Sequence, residues 1–198
     1  PVKVKLQKPG GGDPQFKAQR FTFRLKGTSR EKGVCMNEPQ NPLPDSPFDL
    51  QFEAKHNPDL ADIDSEGQEA VQTGQSMTEG EVIISSFDYG AYADLEVEAL
   101  LENGEKIKGV VPGTSEEQLK VPDRKDDSRI ASVFLKNLNN PPDKDDSEND
   151  PEGDGFEGDG LALYEEYRGF KHGDKWMTGD PVKKDVFVLN QLRGMNKV

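Results

Sequence analysis

The chain has 198 residues, 32% of them hydrophobic and 32% charged, with a formal net charge of -13 at pH 7. Its length allows one large domain or two small ones, and the absence of eighteen consecutive apolar residues predicts no direct membrane insertion. A chain this acidic, without Lys and Arg clustered among aromatic residues, repels polyanions and excludes nucleic acid as a predicted partner.

Apolar and polar side chains alternate through much of the region before residue 112, as is typical of strands with one buried face. The alternation predicts strands near Val2 to Leu6, Phe21 to Leu25, Leu50 to Phe52, Val71, and Val82 to Phe87. Leu95, Val97 and Ala99 then alternate with acidic residues, and Asn103-Gly104 separates them from a further apolar run at Ile107. Asn-Gly between alternating runs predicts a hairpin with a type I′ turn.

About seven short strands separated by Pro- and Gly-rich turns predict a mainly β fold, with an immunoglobulin-like β-sandwich over residues 1–111. The segment Asp88-Tyr89-Gly90-Ala91-Tyr92 resembles the Asp-x-Gly-x-Tyr corner that opens strand F of immunoglobulin domains. A strand and a hairpin follow that segment, as in the family. Tyr92 is out of phase with Leu95 unless a β-bulge intervenes.

Residues 112–198 have a different pattern and predict a small helix-loop-helix region. Asp127-Ser128 is a candidate N-cap, and apolar residues from Ile130 to Leu138 recur at helical spacing. Leu161 to Arg168 predicts a second short helix that ends at Gly169. A final strand is predicted from Val186 to Leu189. Helix, acidic loop and helix follow one another in the order of an EF-hand.

The loop between these helices is the most acidic part of the chain. Residues 142–166 contain eleven carboxylates and one lysine. In one register, Asp150, Glu152 and Asp154 begin a calcium loop whose twelfth position is Leu161. In a second register, Asp159, Gly160 and Glu166 occupy the fifth, sixth and twelfth positions.

Hard cations take six to eight oxygen ligands, so the loop predicts one or two Ca²⁺ ions as the cofactor. Alternating carboxylates turn inward, and Glu165 or Glu166 closes the coordination shell from the second helix. The candidate metal-site residues are Asp146, Glu148, Asp150, Glu152, Asp154, Glu157, Asp159, Leu161, Glu165 and Glu166. The alternative interpretation of the acidic run is a solvated linker.

A family resemblance supports the calcium interpretation. The segments GDGLALYEEYRGF (158–170) and GDPVKKDVFV (179–188) resemble secreted bacterial multidomain proteins, in which an immunoglobulin-like region precedes a calcium loop akin to thrombospondin type 3 and dockerin repeats. The resemblance implies that Asp154, Asp159 and Glu166 are ligands. It also implies an extracellular or cell-surface location and an architecture stabilised by calcium.

Catalytic motifs are absent from the sequence. The two histidines, His56 and His172, form no HExxH pair, and neither a GxSxG elbow nor a phosphate-binding GxxxxGK[ST] loop occurs. The sequence therefore predicts a non-enzymatic structural or adhesion module whose partners are other protein subunits or surface proteins. Two alternatives stay open: an accessory domain or subunit of a secreted enzyme, and an enzyme that uses the His172 region.

Overall fold

The computed structural model describes residues 1–38, 48–138 and 160–181 and residue 185. These residues form a mainly β fold of twelve strands and two short helices. The strands are β1 (Val2–Lys5), β2 (Ala18–Lys26), β3 (Leu50–Phe52), β4 (Asp62–Ile63), β5 (Glu69–Met77), β6 (Glu79–Val82), β7 (Ile84–Ser86), β8 (Ala93–Leu101), β9 (Lys106–Lys108), β10 (Gln118–Val121), β11 (Phe170–His172) and β12 (Lys175–Met177). The helices are α1 (Ser132–Lys136) and α2 (Leu163–Arg168).

The largest sheet is antiparallel and has the strand order β10-β8-β2-β5-β4, with β9 also paired to β8. Three antiparallel pairs, β1-β6, β3-β7 and β11-β12, lie outside it. Strand β10 follows residue 111, where the β region was expected to end. The main sheet therefore includes residues from both predicted regions.

One hydrophobic core joins the main sheet to the pairs β1-β6 and β3-β7. Phe21 and Phe23 of β2, Leu50 and Phe52 of β3, and Leu95 of β8 are all buried in it. Alternation of inward and outward side chains brings Ala93, Leu95, Ala99 and Leu101 of β8 to this core. The mainly β prediction is confirmed by this arrangement.

Most predicted strands are present, and two local details differ from expectation. The run from Val82 to Phe87 is divided between β6 and β7, because the side chain of Asn57 replaces a strand partner at Ile83. Asn57 Nδ2 donates to the carbonyl of Ile83 at 2.9 Å, and the N–H of Ile83 donates to Asn57 Oδ1 at 2.7 Å. An amide side chain can satisfy both backbone groups in this way.

The hairpin of β8 and β9 is confirmed, but the predicted type I′ turn is wrong. Gly104 has a φ of 84°, whereas Asn103 does not have a positive φ. The Leu101 N–H donates to the carbonyl of Glu105 at 2.8 Å, and the Gly104 N–H donates to that of Leu101 at 2.9 Å. A single left-handed glycine is typical of a longer hairpin loop than the two-residue type I′ turn.

A second, smaller core lies beneath the two helices. Ile130, Ala131, Leu163, Tyr164 and Tyr167 are buried there, with Tyr92 and Phe134 packed against them.

Helix α1 is shorter than the pattern predicted, because Ile130 and Ala131 enter this core before the helix begins. The strand predicted from Val186 to Leu189 lies outside the described residues. Neither described helix is long and apolar enough to cross a membrane.

A buried carboxyl group, that of Asp49, lies at the start of β3 beside the loop that follows β2. Asp49 is fully buried, and its Oδ2 accepts the N–H of Glu31 at 2.8 Å. Burial raises the pKa of this carboxyl above 3.8, although the Glu31 hydrogen bond and the Ser29 hydroxyl oppose the shift. At pH values between the unfolded-state and the folded-state pKa, the folded protein holds a proton that the unfolded chain has released, so stability falls as the pH rises through the folded-state pKa.

Replacing Asp49 with Asn is expected to stabilise the protein at neutral pH by roughly 1 kcal/mol, the size of the desolvation cost of one buried polar group. The amide keeps an oxygen for the Glu31 N–H but never acquires a charge. Denaturant unfolding at several pH values should show the advantage of D49N shrinking as the pH approaches the ordinary aspartate pKa. A D49N protein less stable than the wild type at pH 7 would contradict this account.

Candidate metal centre

Helix α2 carries the two adjacent glutamates that the sequence placed at the end of the calcium loop. Glu165 Oε2 accepts the N–H of Ala162 at 2.8 Å, so its side chain caps the first turn. Leu163 and Tyr167 lie one turn apart and face the second core. The helix ends at Gly169, whose φ of 73° and ψ of -168° favour glycine.

The two glutamates differ in their surroundings. Glu165 is partly exposed and engaged with the helix terminus, whereas Glu166 is buried, with 2% of its surface exposed. The carbonyl of Glu166 accepts the N–H of Gly179 at 2.9 Å. Adjacent residues on a helix point about 100° apart, so the two carboxylates do not share one centre. Of the two, Glu166 is placed to contribute to an interior site.

Gly179 brings the Glu166 side chain close to a second carboxylate, that of Asp185. A Cβ atom at Gly179 would lie 2.9 Å from both Cβ and Cγ of Glu166 and 2.7 Å from Asp185 Oδ2. Asp185 Oδ2 also accepts the N–H of Asp180 at 3.1 Å. Only glycine leaves room for both acidic side chains at this point. Gly179 thus packs between the Cβ and Cγ atoms of Glu166 and the carboxylate of Asp185.

The predicted cofactor, Ca²⁺, prefers carboxylate and carbonyl oxygens. Among the predicted ligands, Leu161, Glu165 and Glu166 belong to the described residues. The others lie outside them: Asp146, Glu148, Asp150, Glu152, Asp154, Glu157 and Asp159. Within the described ranges, no three His, Cys, Asp or Glu side chains form a group that could hold a metal ion. The described part therefore contains one end of the predicted site, at Glu166.

A buried ion pair attaches α2 to the corner that precedes β8. Arg168 Nε donates to Asp88 Oδ2 at 2.8 Å, and Arg168 Nη2 donates to the carbonyl of Lys32 at 2.5 Å. The Asp88 side chain is fully buried, and 8% of the Arg168 side chain is exposed. Burial opposes the charge on Arg168 most strongly, but hydrogen bonding to Asp88 and the attraction of nearby negative groups, chiefly Asp88, together outweigh it and hold the guanidinium pKa above its usual value.

Two glycines permit the close packing around this ion pair. The hydroxyl of Tyr164 donates to the carbonyl of Gly90 at 3.0 Å, and a Cβ at Gly90 would lie 2.9 Å from that hydroxyl. The N–H of Gly90 in turn donates to Asp88 Oδ1 at 2.6 Å. At Gly169, a Cβ would lie 2.6 Å from Trp176 Nε1. The helix therefore fits against the corner and the following hairpin without space for larger residues.

The hairpin of β11 and β12 continues directly from α2 and folds back onto the same corner. Trp176 Nε1 donates to the carbonyl of Arg168 at 2.8 Å. Its indole ring stacks on Tyr89, with centroids 4.8 Å apart and an interplanar angle of 8°. Tyr89 and Trp176 keep 47% and 37% of their surfaces exposed. An aromatic pair at the surface thus covers one side of the Arg168 backbone.

Sequence reasoning identified Asp88 only as part of a corner motif, and it assigned no role to Arg168. Two features of the sequence could have indicated this ion pair: Asp88 lies in a turn motif, and Arg168 lies among the apolar residues of a short helix. His172, whose region was the alternative enzyme site, is exposed on the β11-β12 hairpin, as is the neighbouring Asp174. Comparison of the chain with models of protein families, with curated proteins and with solved structures finds no match.

Proposed function

We propose that this chain is a non-enzymatic calcium-binding structural module, in which the acidic loop and Glu166 hold one or two Ca²⁺ ions. The observation that carries the proposal is the burial of the Glu166 side chain beside Asp185 at Gly179. Ca²⁺ prefers carboxylate oxygens, and Glu166 supplies such oxygens in the helix that follows the acidic loop. When bound, the ion would link the acidic loop to α2 and so to the β region.

The proposed context is extracellular or cell-surface, with other protein subunits or surface proteins as partners. Millimolar calcium outside cells is sufficient to occupy weak sites of this kind. An immunoglobulin-like arrangement of the mainly β fold belongs to the same proposal, and it is supported by antiparallel pairs that share one core. In this arrangement the acidic region rigidifies the connection between the β region and what it contacts.

The adjacent glutamates provide a matched test. Calorimetric titration of the chelator-treated protein with CaCl₂ should show binding, and Glu166→Gln is expected to weaken the affinity about tenfold or more because one charged ligand is lost. Glu165→Gln should change the affinity by less than about twofold, because glutamine keeps an oxygen for the Ala162 N–H. Absence of calcium binding by the wild type, or equal effects of the two substitutions, would contradict the proposed site.

A thermal measurement checks the structural part of the proposal. At a free calcium concentration of about 100 times Kd, binding to the native state alone adds about 2.7 kcal/mol. For a chain of this size, that free energy raises Tm by roughly 5 to 10 °C. Identical melting temperatures in calcium and in chelator would argue for the solvated-linker interpretation of the acidic run.

A further inference from the structure

The tip of the β8-β9 hairpin joins an asparagine to a glycine. Asn103 and Gly104 are both exposed, and Asn103 is the only asparagine of the chain that precedes a glycine. Gly104 has a φ of 84°, and nothing lies within 4 Å of the position that a Cβ atom would occupy. On this side of the loop, neither a side chain of residue 104 nor a neighbouring segment crowds the peptide bond between the two residues.

The side-chain amide of Asn103 folds back along the main chain. Its Oδ1 accepts the N–H of Glu105 at 3.0 Å, and its Nδ2 donates to Glu105 Oε2 at 3.3 Å. An asparagine whose side chain bonds to the backbone two residues later forms an Asx-turn, in which the amide lies alongside the peptide bond that it spans. The amide carbon of Asn103, Cγ, is thus held beside the backbone nitrogen of Gly104.

An amide in this position can react with that nitrogen, since holding the reacting atoms together removes much of the barrier to an intramolecular attack. Gly104 N loses its proton to hydroxide and attacks Asn103 Cγ. The amide nitrogen takes a proton from water and leaves as ammonia, which gives a cyclic succinimide. Water then opens the ring at either carbonyl to form aspartate or isoaspartate. The whole reaction consumes one water and releases one ammonia, without oxidation or reduction.

Hydrogen bonds of the loop both favour and oppose this attack. The N–H of Glu105 points at Asn103 Oδ1, which becomes negative in the tetrahedral intermediate, so this donor stabilises the developing charge. The N–H of Gly104 donates to the carbonyl of Leu101 at 2.9 Å, and this bond must open before the nitrogen attacks. Because hydrogen bonds at exposed loop tips open at low cost, the opposing effect is small.

The other asparagines of residues 1–38, 48–138 and 160–181 lack this combination. Both ends of the Asn37 amide bond to the backbone of Lys171, at 2.8 and 2.9 Å. Asn57 is followed by Pro58, which has no N–H to lose. Asn137 precedes a leucine, whose side chain crowds the attacking nitrogen. These residues provide internal references for the reactivity of Asn103.

We propose that Asn103 is a self-modification site, at which the folded hairpin converts the asparagine to aspartate and isoaspartate without an enzyme. This inference is independent of the proposed calcium function. Aspartate adds a negative charge between Glu102 and Glu105. Isoaspartate lengthens the main chain by one carbon atom, so the hydrogen bonds that close the hairpin at Leu101 cannot all form. The modification therefore changes the charge and the shape of the hairpin tip.

Peptide mass spectrometry of the whole folded chain during incubation at mildly alkaline pH tests the site. Asn103 is expected to convert at least about tenfold faster than Asn37, Asn57 or Asn137, because only its amide is held beside an uncrowded nitrogen. The native rate should stay within about tenfold of the rate in urea, because only one hydrogen bond must open. Conversion no faster than that of Asn137, or a native rate further below the urea rate, would overturn the proposal.

Two glycine substitutions provide a matched comparison, with Asn103→Asp as the standard for the aspartate product. Gly104→Ala is expected to slow conversion of Asn103 at least about tenfold, because a Cβ atom crowds the attacking nitrogen. Gly113 also has a positive φ, 81°, and open space around a Cβ, but Pro112 precedes it. Gly113→Ala should therefore leave the rate at Asn103 within about twofold of the wild type. Equal rates in G104A and the wild type would overturn the proposed attack by Gly104 N.

Discussion

Arg168→Met is expected to lower the free energy of unfolding by about 3 kcal/mol, as is usual when one partner of a buried ion pair is removed. The substitution preserves much of the side-chain volume but leaves the carboxylate of Asp88 buried without its guanidinium. For a chain of this size, the loss corresponds to roughly 6 to 12 °C in Tm. Urea unfolding in the presence of chelator measures this effect separately from calcium binding.

Arg124→Met provides the control for this experiment. Arg124 is as buried as Arg168, with 8% of its side chain exposed, but its partner Asp94 is 30% exposed. Water can solvate Asp94 after the substitution, so the expected cost is about 1 kcal/mol. In the double variant R168M/D88N neither charge of this pair remains, and the cost should fall below the sum of the single costs by about 1 kcal/mol. Additive costs would show that Asp88 and Arg168 do not stabilise each other.

Gly169→Ala is expected to cost about 3 kcal/mol or more, because steric overlap adds to the backbone strain of the substitution. Gly169 has a φ of 73°, and a Cβ there would overlap Met177 O and lie 2.6 Å from Trp176 Nε1. Relief of the overlap requires the β11-β12 hairpin to move away from α2. The change should therefore also reduce the stacking of Trp176 on Tyr89 and alter tryptophan emission.

Gly104→Ala measures the cost of backbone strain at a position where an added Cβ atom causes no steric overlap. Gly104 has a similar φ of 84°, but nothing lies within 4 Å of a Cβ at this position. Its expected cost is only the penalty for a left-handed alanine, about 1 kcal/mol. Denaturant unfolding of the two variants should thus differ by about 2 kcal/mol. Equal costs would mean that the hairpin does not pack tightly against Gly169.

The sequence predicted the β region well where apolar and polar residues alternate with a period of two and the strand buries only one of its faces. Strands β2 and β8 follow the runs at Phe21 and Leu95, and the hairpin after β8 follows Asn103-Gly104. Strands β4 and β10 escaped prediction: β4 contains one apolar residue, Ile63, and the short Leu119 and Val121 alternation of β10 lies after residue 111, where the β region was expected to end. Pairing with β5 and β8 establishes them, and that pairing depends on neighbours distant along the chain.

For the candidate site, the sequence predicted the helix that holds Glu165 and Glu166 but not the different surroundings of the two residues. A periodic pattern gives the direction of each side chain relative to its own helix. What each side chain meets depends on how the helix docks, and Arg168 and Tyr164 determine that docking through Asp88 and Gly90. Neither partner is within seventy residues of α2 along the chain.

The sequence by itself determined that the chain is mainly β and that acidic residues with interspersed glycines precede a short helix, because these properties depend on composition and local spacing. Only the tertiary structure decided that Glu166 is buried beside Asp185, that Glu165 caps its own helix, and that Arg168 binds Asp88. Burial and charge pairing arise from contacts between distant segments, and local patterns contain little information about those contacts.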